Sequence, residues 1–471
     1  MIFSSSTFLL VFLPCVLLIY YTILRNHRTA QNIFLFLASL VFYAWGEPLF
    51  VLILLLSIVM NYIFGLLIDK YRDFKPQARL IITLSLVYNV SLIFLFKYLS
   101  FAITNINLLF NKNIGIPQLG IPIGISFFTF QAISYVIDVY HGKGHVQKNP
   151  LNVGLYIALF PNLVSGPIVR YETIVDQIND RKESFSLFSE GAIRFIRGFA
   201  KKVIIADNLA YVANKAFSLK TDDLSVSFAW LGIIAYAFQI LLDFSGYSDM
   251  ALGLSKMFGF NFLENFNFPY ISKSISEFWR RWHISLGTWF RDYVYFPLGG
   301  SRVKTKFRLL FNLFVVWSLT GLWHGANWTF ICWGLLYFVL LAFEKLTGFD
   351  KSKKFPIFHH IYTMFFVLMG WVLFRANDIT QAKDYLKVMF FRGGNTVFDN
   401  NAYFYLCEYI FFLVVAILCS TPVFGWISKK FKFDDNKFIG AIYPIFYLLL
   451  FFIALTYVIK GANNPSIYAN F

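Results

Sequence analysis

The sequence predicts an all-α polytopic membrane protein with roughly ten to twelve transmembrane helices, and three observations carry this prediction. Hydrophobic residues make up 58% of the 471 residues and charged residues only 14%, whereas soluble domains carry roughly 25% charged residues. Aromatic residues reach 21%, as in proteins anchored by ring side chains at the membrane interface. Apolar stretches long enough to cross about 30 Å of hydrocarbon recur along the chain. A soluble protein and a disordered chain are therefore excluded.

The basic excess of the chain lies between these apolar stretches. Lys and Arg number 41 against 25 Asp and Glu, a formal net charge of +16, and basic clusters lie at 25–28, 69–79 and 428–437. Short basic loops mark the cytoplasmic side of membrane proteins, so they predict no nucleic-acid partner. The residues before the first apolar run are neutral and those after it are basic, which predicts that the N-terminus lies outside the cytoplasm. The four Cys have no CxxC spacing, so neither a disulfide framework nor a metal site is expected.

The apolar runs also define the predicted organisation of the chain. The segment 170–202 mixes charges of both signs with apolar residues at helical spacing, which predicts amphipathic helices at the membrane interface. No repeat or linker is visible, so one integral domain is predicted over 1–471, with a motif-bearing core at about 120–345 and C-terminal helices at 346–471. The predicted spans lie at about 5–24, 31–47, 49–67, 80–98, 121–139, 151–169, 226–247, 309–323, 326–343, 357–374, 403–421 and 440–459.

Three segments combine apolar runs with polar residues that can carry chemistry. The first, QILLDFSGYSDMALGL, contains Gln239, Asp243, Ser245, Ser248 and Asp249. Carboxylates at membrane depth are costly and usually face a cavity or a partner, so this run is a functional candidate. The alternative is a helix end at the interface, where the carboxylates cap the helix or pair with a basic loop.

The second segment is SKSISEFWRRWHISLGTWFRDYVYFPLGG. Ser274 and Glu277 have the S-x-x-E spacing of a capping box, which predicts the start of a helix of about six turns. On that helix, Arg280, His283 and Arg291 share a polar face opposite a wide apolar one. His283 is therefore expected beside two guanidinium groups, which would keep it neutral and could bind an anionic group such as phosphate.

The third segment, FRLLFNLFVVWSLTGLWHGANWTFICWGLLYF, places His324 about fifteen apolar residues after a basic cluster. That spacing corresponds to about 22 Å of upright helix, so His324 is predicted to lie deep in the membrane. Gly321 and Gly325 bracket it, which indicates a flexible or a closely approached backbone, and Asn327 is near enough to orient the ring. A neutral imidazole there can act as a general base toward a hydroxyl; a purely structural histidine is the alternative. Nucleophile-elbow, P-loop and dinucleotide motifs are absent.

At these segments the sequence resembles the membrane-bound O-acyltransferase family, most closely its bacterial AlgI-like branch of polysaccharide O-acetyltransferases. The matching stretches include FPNLVSGPIVRYE, DFSGYSDMALGLSKMFGF, SISEFWRRWHISLGTWFRDYVYFPLGG and LTGLWHGANWTFICWG. The pairing of WRRWHISL with LWHGANW is highly specific. The resemblance implies that His324 is the catalytic base and His283 an essential partner. The residues expected to bind or orient substrate are Asn327, Asp243, Gln239, Ser245, Trp282, Arg280, Arg291 and Trp323.

The resemblance also implies a helical fold around a funnel or tunnel, in a bacterial cytoplasmic membrane. It implies transfer of an acetyl group from a cytoplasmic thioester, with acetyl-CoA as the expected donor, to a hydroxyl of an exported surface polysaccharide or a partner protein. An extracytoplasmic SGNH-type acetyltransferase is the expected partner, and no bound cofactor is expected. O-acetylation of peptidoglycan and D-alanyl transfer to teichoic acid from a carrier-protein thioester stay open. A transporter or flippase and a noncatalytic scaffold are alternatives of other classes.

Overall fold

Every regular element in the described part of the chain is a helix, as the composition predicts. The computed structural model describes residues 1–352, 354–431 and 437–461. Seven helices within these ranges are long and apolar enough to cross a membrane. They are Val51–Lys70, Lys75–Phe110, Val226–Met257, Trp328–Thr347, Pro356–Arg375, Asn400–Cys419 and Ile442–Ile459.

These seven are fewer than the ten to twelve spans expected, because several apolar runs form shorter or interrupted helices. The run at 31–47, for example, forms the helix Arg28–Ala44, which has 17 residues. The run at 151–169 is interrupted at Leu159, where ψ is 114°. Pro161 in the next short helix has no backbone N–H with which to continue the preceding one.

The chain divides into two compact units. The first comprises 1–195 and 250–263, and the second comprises 196–249 and the described residues from 264 onward. The single domain over 1–471 and the central funnel stay predictions. The first unit contains α1 (Leu13–Leu18), α2 (Arg28–Ala44), α3 (Val51–Lys70), α4 (Lys75–Ile93), α5 (Leu99–Phe110), α6 (Ile125–His141), α7 (Pro150–Ala158), α8 (Phe160–Leu163), α9 (Tyr171–Ile174), α10 (Gln177–Asp180) and most of α11 (Phe185–Ala200). Single π-helical turns at Phe8–Phe12 and Ile19–Ile23 flank α1, and another at Phe94–Tyr98 joins α4 to α5.

A partly buried ion cluster connects the loop after α10 to α2 in the first unit. Arg28 forms an ion pair with Glu183. Arg181 is 4% exposed, and its Nη1 donates a hydrogen bond to Asn32 Oδ1 at 2.6 Å. Its Nε donates to the hydroxyl of Tyr20 at 3.3 Å. Buried charges are tolerated when they are paired and hydrogen-bonded, as they are here.

The second unit carries the three candidate segments, except residues 250–254 of the first segment. Most of α13 belongs to it, and α14 and α15 are short helices that precede the long α16. Its helices are α12 (Asp207–Ser218), α13 (Val226–Met257), α14 (Ile275–Arg281), α15 (Ile284–Phe290), α16 (Lys306–His324), α17 (Trp328–Thr347), α18 (Pro356–Arg375), α19 (Ile379–Met389), α20 (Asn400–Cys419), α21 (Val423–Lys430) and α22 (Lys437–Ile459). π-helical turns lie at Lys201–Ala206 and Arg291–Tyr295, and 3₁₀ turns at Thr221–Asp223, Pro269–Ile271 and Phe349–Lys351.

Glycines let α16 and α17 pack closely as an antiparallel hairpin. A Cβ at Gly334 would lie 2.5 Å from the carbonyl oxygen of Trp317, and a Cβ at Gly321 would lie 2.6 Å from that of Phe330. A Cβ at Gly325, in the turn, would overlap the ring of Phe330. Small residues of this kind allow helix backbones to approach within a membrane. Of the two sequence interpretations of these glycines, close approach is confirmed.

Candidate active site

The helix that leads to His283 begins as the sequence predicts. Ser274 Oγ accepts a hydrogen bond from Glu277 N at 3.0 Å, and Glu277 Oε2 accepts one from Lys273 N at 2.9 Å. The capping box is therefore confirmed, and it sets the start of α14.

A buried carboxylate of α17 accepts hydrogen bonds from the backbone at the N-terminus of α14. Glu344 is fully buried, and its two oxygens accept hydrogen bonds from Ile275 N at 2.6 Å and from Ser276 N at 2.8 Å. Within the described ranges no cationic side chain pairs with Glu344, so the two N–H groups and the positive end of the helix stabilise it. Glu344 was not predicted from the sequence, although, like Asp243, it is a carboxylate within an apolar run, that of α17.

The predicted six-turn helix is wrong, because the chain breaks at His283. This residue has φ 45° and ψ 53°, a left-handed conformation, between α14 and α15. The loop that contains Asn265 and Asn267 forms hydrogen bonds with the backbone at the break. Ile284 N donates to the carbonyl oxygen of Asn265, and Asn267 N donates to that of Arg281, both at 2.9 Å. A non-glycine residue in this conformation costs roughly 1–2 kcal/mol, and the two backbone bonds offset that cost.

The break separates His283 from the arginines that the sequence placed beside it. Arg280 and Arg291 are exposed, and Arg291 Nε lies 2.8 Å from a carboxylate oxygen of Asp292. His283 is 1% exposed, and its ring packs edge-on against Phe244 with centroids 4.7 Å apart. Burial lowers the pKa of His283 to about 3. The imidazole is therefore neutral, as predicted, but the cause is desolvation and not two guanidinium groups. His283 therefore does not share an exposed polar face with Arg280 and Arg291, and anion binding by these residues stays a prediction.

Asn265 orients the buried imidazole of His283. Its Oδ1 lies 3.2 Å from His283 Nδ1 and accepts a hydrogen bond from Ser285 N at 3.1 Å. Because an amide oxygen can only accept, this contact favours the proton on Nδ1 and leaves the lone pair on Nε2. Asn265 is fully buried. It was missed by the sequence analysis, since no local pattern marks it.

His324 lies at the tip of the α16–α17 hairpin, enclosed by aromatic rings. It is 1% exposed and is therefore buried within the protein, while its depth in the membrane stays a prediction. Its ring centroid lies 4.8 Å from that of Trp333 and 5.1 Å from that of Phe374. These rings come from α17 and α18, so three helices build the enclosure.

Trp323 connects the two histidines. Its ring centroid lies 4.9 Å from the ring centroid of His324 and 5.9 Å from that of His283. Trp323 is 6% exposed, so the indole is itself held by packing. The structure thus brings both predicted histidines to one indole ring, although 40 residues of chain lie between them.

Asp243 of the first candidate segment lies in the middle of α13 and not at a helix end. Asp243 is 3% exposed, and its Oδ1 lies 3.3 Å from Nζ of Lys202. The same Nζ lies 2.5 Å from Asp207 Oδ1. Asp243 therefore pairs with a cationic side chain, as the alternative interpretation of this segment proposed. The cation is a buried lysine, however, and not part of a basic loop. Lys202 was missed by the sequence analysis.

Three other predicted residues are buried in the second unit. Gln239 and Ser245 lie on α13, and they are 8% and 7% exposed. Trp282, which immediately precedes the break, is 1% exposed. Its ring packs against Phe266 at 5.1 Å and Trp371 at 4.9 Å, centroid to centroid. Trp282 therefore helps to hold the break that positions His283.

Asn327 has a different contact from the one expected. Its Oδ1 accepts a hydrogen bond from Thr329 N at 3.0 Å, and its Nδ2 donates to the carbonyl oxygen of Asn377 at 2.7 Å. It is the N-cap of α17. Both polar atoms of its side chain are used by the backbone, so Asn327 orients the helix that encloses His324 and not the ring itself.

The comparisons with known proteins bear on this arrangement directly. A sequence model described as the membrane-bound O-acyltransferase family matches residues 146–380, which include both histidines. The probable alginate O-acetylase AlgI of Azotobacter vinelandii is 43% identical over 407 residues, covering 85% of this chain and 80% of the relative. The chain belongs to the membrane-bound O-acyltransferase family. It is a multi-pass membrane acyltransferase.

Other relatives within this family differ in the reaction that their names describe. The peptidoglycan O-acetyltransferase of Helicobacter pylori is 36% identical over 425 residues, covering 83% of this chain and 80% of the relative. The teichoic acid D-alanyltransferase of Bacillus subtilis is 34% identical over 275 residues, covering 54% of this chain and 68% of the relative. The two O-acetyltransferases are thus more identical to this chain than the D-alanyltransferase is, and they match a larger share of it.

Proposed function

We propose that this acyltransferase moves an acetyl group from a cytoplasmic thioester, acetyl-CoA, across the membrane for O-acetylation of an exported cell-surface polysaccharide. The support from the comparisons is the extent of similarity. Identity to an alginate O-acetylase is 43% over 85% of the chain, against 34% over 54% for a teichoic acid D-alanyltransferase. The polymer is an alginate-like glycan or peptidoglycan.

The observation that carries the chemical part of the proposal is the aromatic enclosure of His324. As a neutral imidazole, His324 takes the proton of an acceptor hydroxyl while the hydroxyl oxygen attacks the acetyl carbonyl. The new C–O bond forms, the C–S bond of the thioester breaks, and the proton passes from the imidazolium to the departing thiolate. The rings around His324 exclude water, which would otherwise compete as acceptor.

His283 acts in this proposal as the partner of His324 across Trp323. Its neutral form, with the lone pair on Nε2, can accept a hydrogen bond from the acceptor hydroxyl or from the donor and so orient it. Asn265 orients the ring of His283, and Glu344 holds the N-terminus of α14, the helix that precedes His283. These two residues are positioning residues because they reach the site through others.

The proposal places the protein in the bacterial cytoplasmic membrane with its N-terminus outside. An extracytoplasmic SGNH-type acetyltransferase would receive the acetyl group and complete the transfer to the polymer. The sequence supports this orientation through the basic cluster at 25–28, which follows the first apolar run.

The test measures O-linked acetate released by mild base from purified surface polysaccharides. A deletion strain is complemented with wild type, His324→Gln or His359→Gln at equal membrane abundance. His359 is a matched control because it is also buried, 6% exposed, but its ring stacks on Phe349 at 4.0 Å. We expect wild type and His359→Gln to restore the ester and His324→Gln to lower it at least 100-fold, the usual contribution of a general base.

Two results would contradict the proposal in different ways. If His324→Gln restores the acetate ester fully, His324 is not the base. If the ester is present without the gene, while D-alanyl ester on teichoic acid depends on it, the reaction is D-alanyl transfer from a carrier-protein thioester.

A further inference from the structure

A cavity of about 590 Å³ is lined by residues of α17, α18 and α19 and of the segment that follows α19. Cys332 of α17 and Leu373 of α18 line it. Each directly precedes a residue whose ring contacts His324, namely Trp333 and Phe374. Two lining residues of the cavity are therefore sequence neighbours of residues that enclose the proposed base, and the volume of the cavity is in the range of small-ligand sites.

The lining of this cavity is apolar inside and basic at one edge. Leu386 of α19 and Phe390, which directly follows α19, add to the apolar part, and Lys383, Lys387 and Arg392 supply three positive charges. Lys387 pairs with a single carboxylate, that of the adjacent turn, at 2.6 Å. Lys383 and Arg392 are exposed and form no ion pair within the residues described. Two cations at the edge thus have no acidic counterpart.

The position of the cavity along the helices matches a membrane surface. Cys332 lies four residues after the start of α17, and Leu373 lies two residues before the end of α18 at Arg375. α19 follows that end after three residues and carries its small and apolar residues on the buried face. A basic edge beside an apolar cavity, at the ends of two spans, is suited to an anionic headgroup with its chain attached.

We propose that this cavity binds an anionic phospholipid. Its phosphate lies between Lys383, Lys387 and Arg392, and the first part of one acyl chain lies against Leu373 and Phe390. A soluble anion would gain nothing from the apolar lining, and a zwitterionic lipid would leave the positive edge uncompensated, so charge complementarity selects the anionic lipid. The binding site is independent of which acyl group and acceptor the enzyme uses.

The first test counts bound phosphatidylglycerol by native mass spectrometry of the full chain. The double variant Lys383→Gln/Arg392→Gln is compared with Lys429→Gln/Lys430→Gln, which removes two charges from α21. We expect the first variant to retain at least fivefold less phosphatidylglycerol than wild type, and the second to match wild type. Equal retention by both variants, or equal loss in both, would overturn the proposal.

The second test locates the lipid without a variant. Phosphatidylglycerol with a photoreactive acyl chain is reconstituted with wild-type protein in bilayers of phosphatidylcholine, irradiated, and mapped by peptide mass spectrometry. We expect crosslinks in the segment 373–392, reduced by excess unlabelled phosphatidylglycerol and not by excess phosphatidylcholine. Crosslinks confined to other segments, or equal competition by both lipids, would refute the site.

Discussion

The carboxylate of Glu344 accepts a hydrogen bond from the backbone N–H of Ile275 at 2.6 Å, and the two residues are 69 positions apart in the chain. This contact joins α17, which contributes Trp333 to the enclosure of His324, to α14, which leads to His283. The geometry of the two histidines therefore depends on a residue that touches neither of them.

Replacing Glu344 should destabilise the protein in a graded way. Glu344→Ala leaves the N–H groups of Ile275 and Ser276 buried without an acceptor, at about 1–3 kcal/mol each. Glu344→Gln keeps one carbonyl oxygen as an acceptor, so its loss should be smaller. Thermal unfolding of the purified protein in detergent should give melting temperatures in the order wild type, Gln, Ala. A melting temperature of the Ala variant equal to that of wild type would show that the contact contributes nothing.

Close packing of α16 against α17 predicts the effect of one added methyl group. Gly334→Ala would place a Cβ 2.5 Å from the carbonyl oxygen of Trp317, so the helices must separate. Overpacking of this kind costs about 1–3 kcal/mol. Gly425→Ala is the matched control, because a Cβ there meets nothing within 4 Å. We expect lower membrane abundance and melting temperature for Gly334→Ala only; unchanged values for both variants would contradict the close approach.

Acidification should destabilise the folded protein through His283. Burial holds the pKa of His283 at about 3, well below the value of about 6.5 for an exposed histidine. Between these values the unfolded chain binds a proton that the folded chain does not. The stabilising contribution is therefore complete above about pH 6.5 and decreases by up to about 1.4 kcal/mol per pH unit below it. The melting temperature of wild type should fall more between pH 7.5 and pH 5 than that of His283→Gln, and parallel curves would rule out this linkage.

Asn265 should control the pH profile of acyl transfer through His283. Asn265→Asp retains the oxygen that accepts from Ser285 N, but its negative charge beside Nδ1 favours the imidazolium and raises the pKa of His283 by about one unit or more. The acidic limb of the activity profile, measured as ester formation in isolated membranes, should move to higher pH by that amount. Asn265→Ala should lower activity at every pH, because the ring of His283 loses its orientation. A profile of Asn265→Asp identical to that of wild type would separate Asn265 from the function of His283.

The local features of the chain were predictable because they depend on residues close in sequence. The composition indicated a helical membrane protein, and S-x-x-E spacing located the start of α14 at Ser274. His324 was recognised because an imidazole after a long apolar run must be buried in protein or lipid. The family resemblance, which rested on the segments around His283 and His324, is confirmed by the comparisons.

The tertiary structure decided what surrounds those residues. The helical period put His283 between Arg280 and Arg291, but the loop that contains Asn265 pairs with the backbone and turns His283 into the interior. Asn327 is only three residues after His324 in sequence, yet both polar atoms of its side chain form hydrogen bonds with the backbone. Periodicity describes one helix at a time, whereas the partners of a buried polar group come from segments distant in the chain. Such partners are selected by the burial of the whole unit, which no local pattern of the sequence specifies.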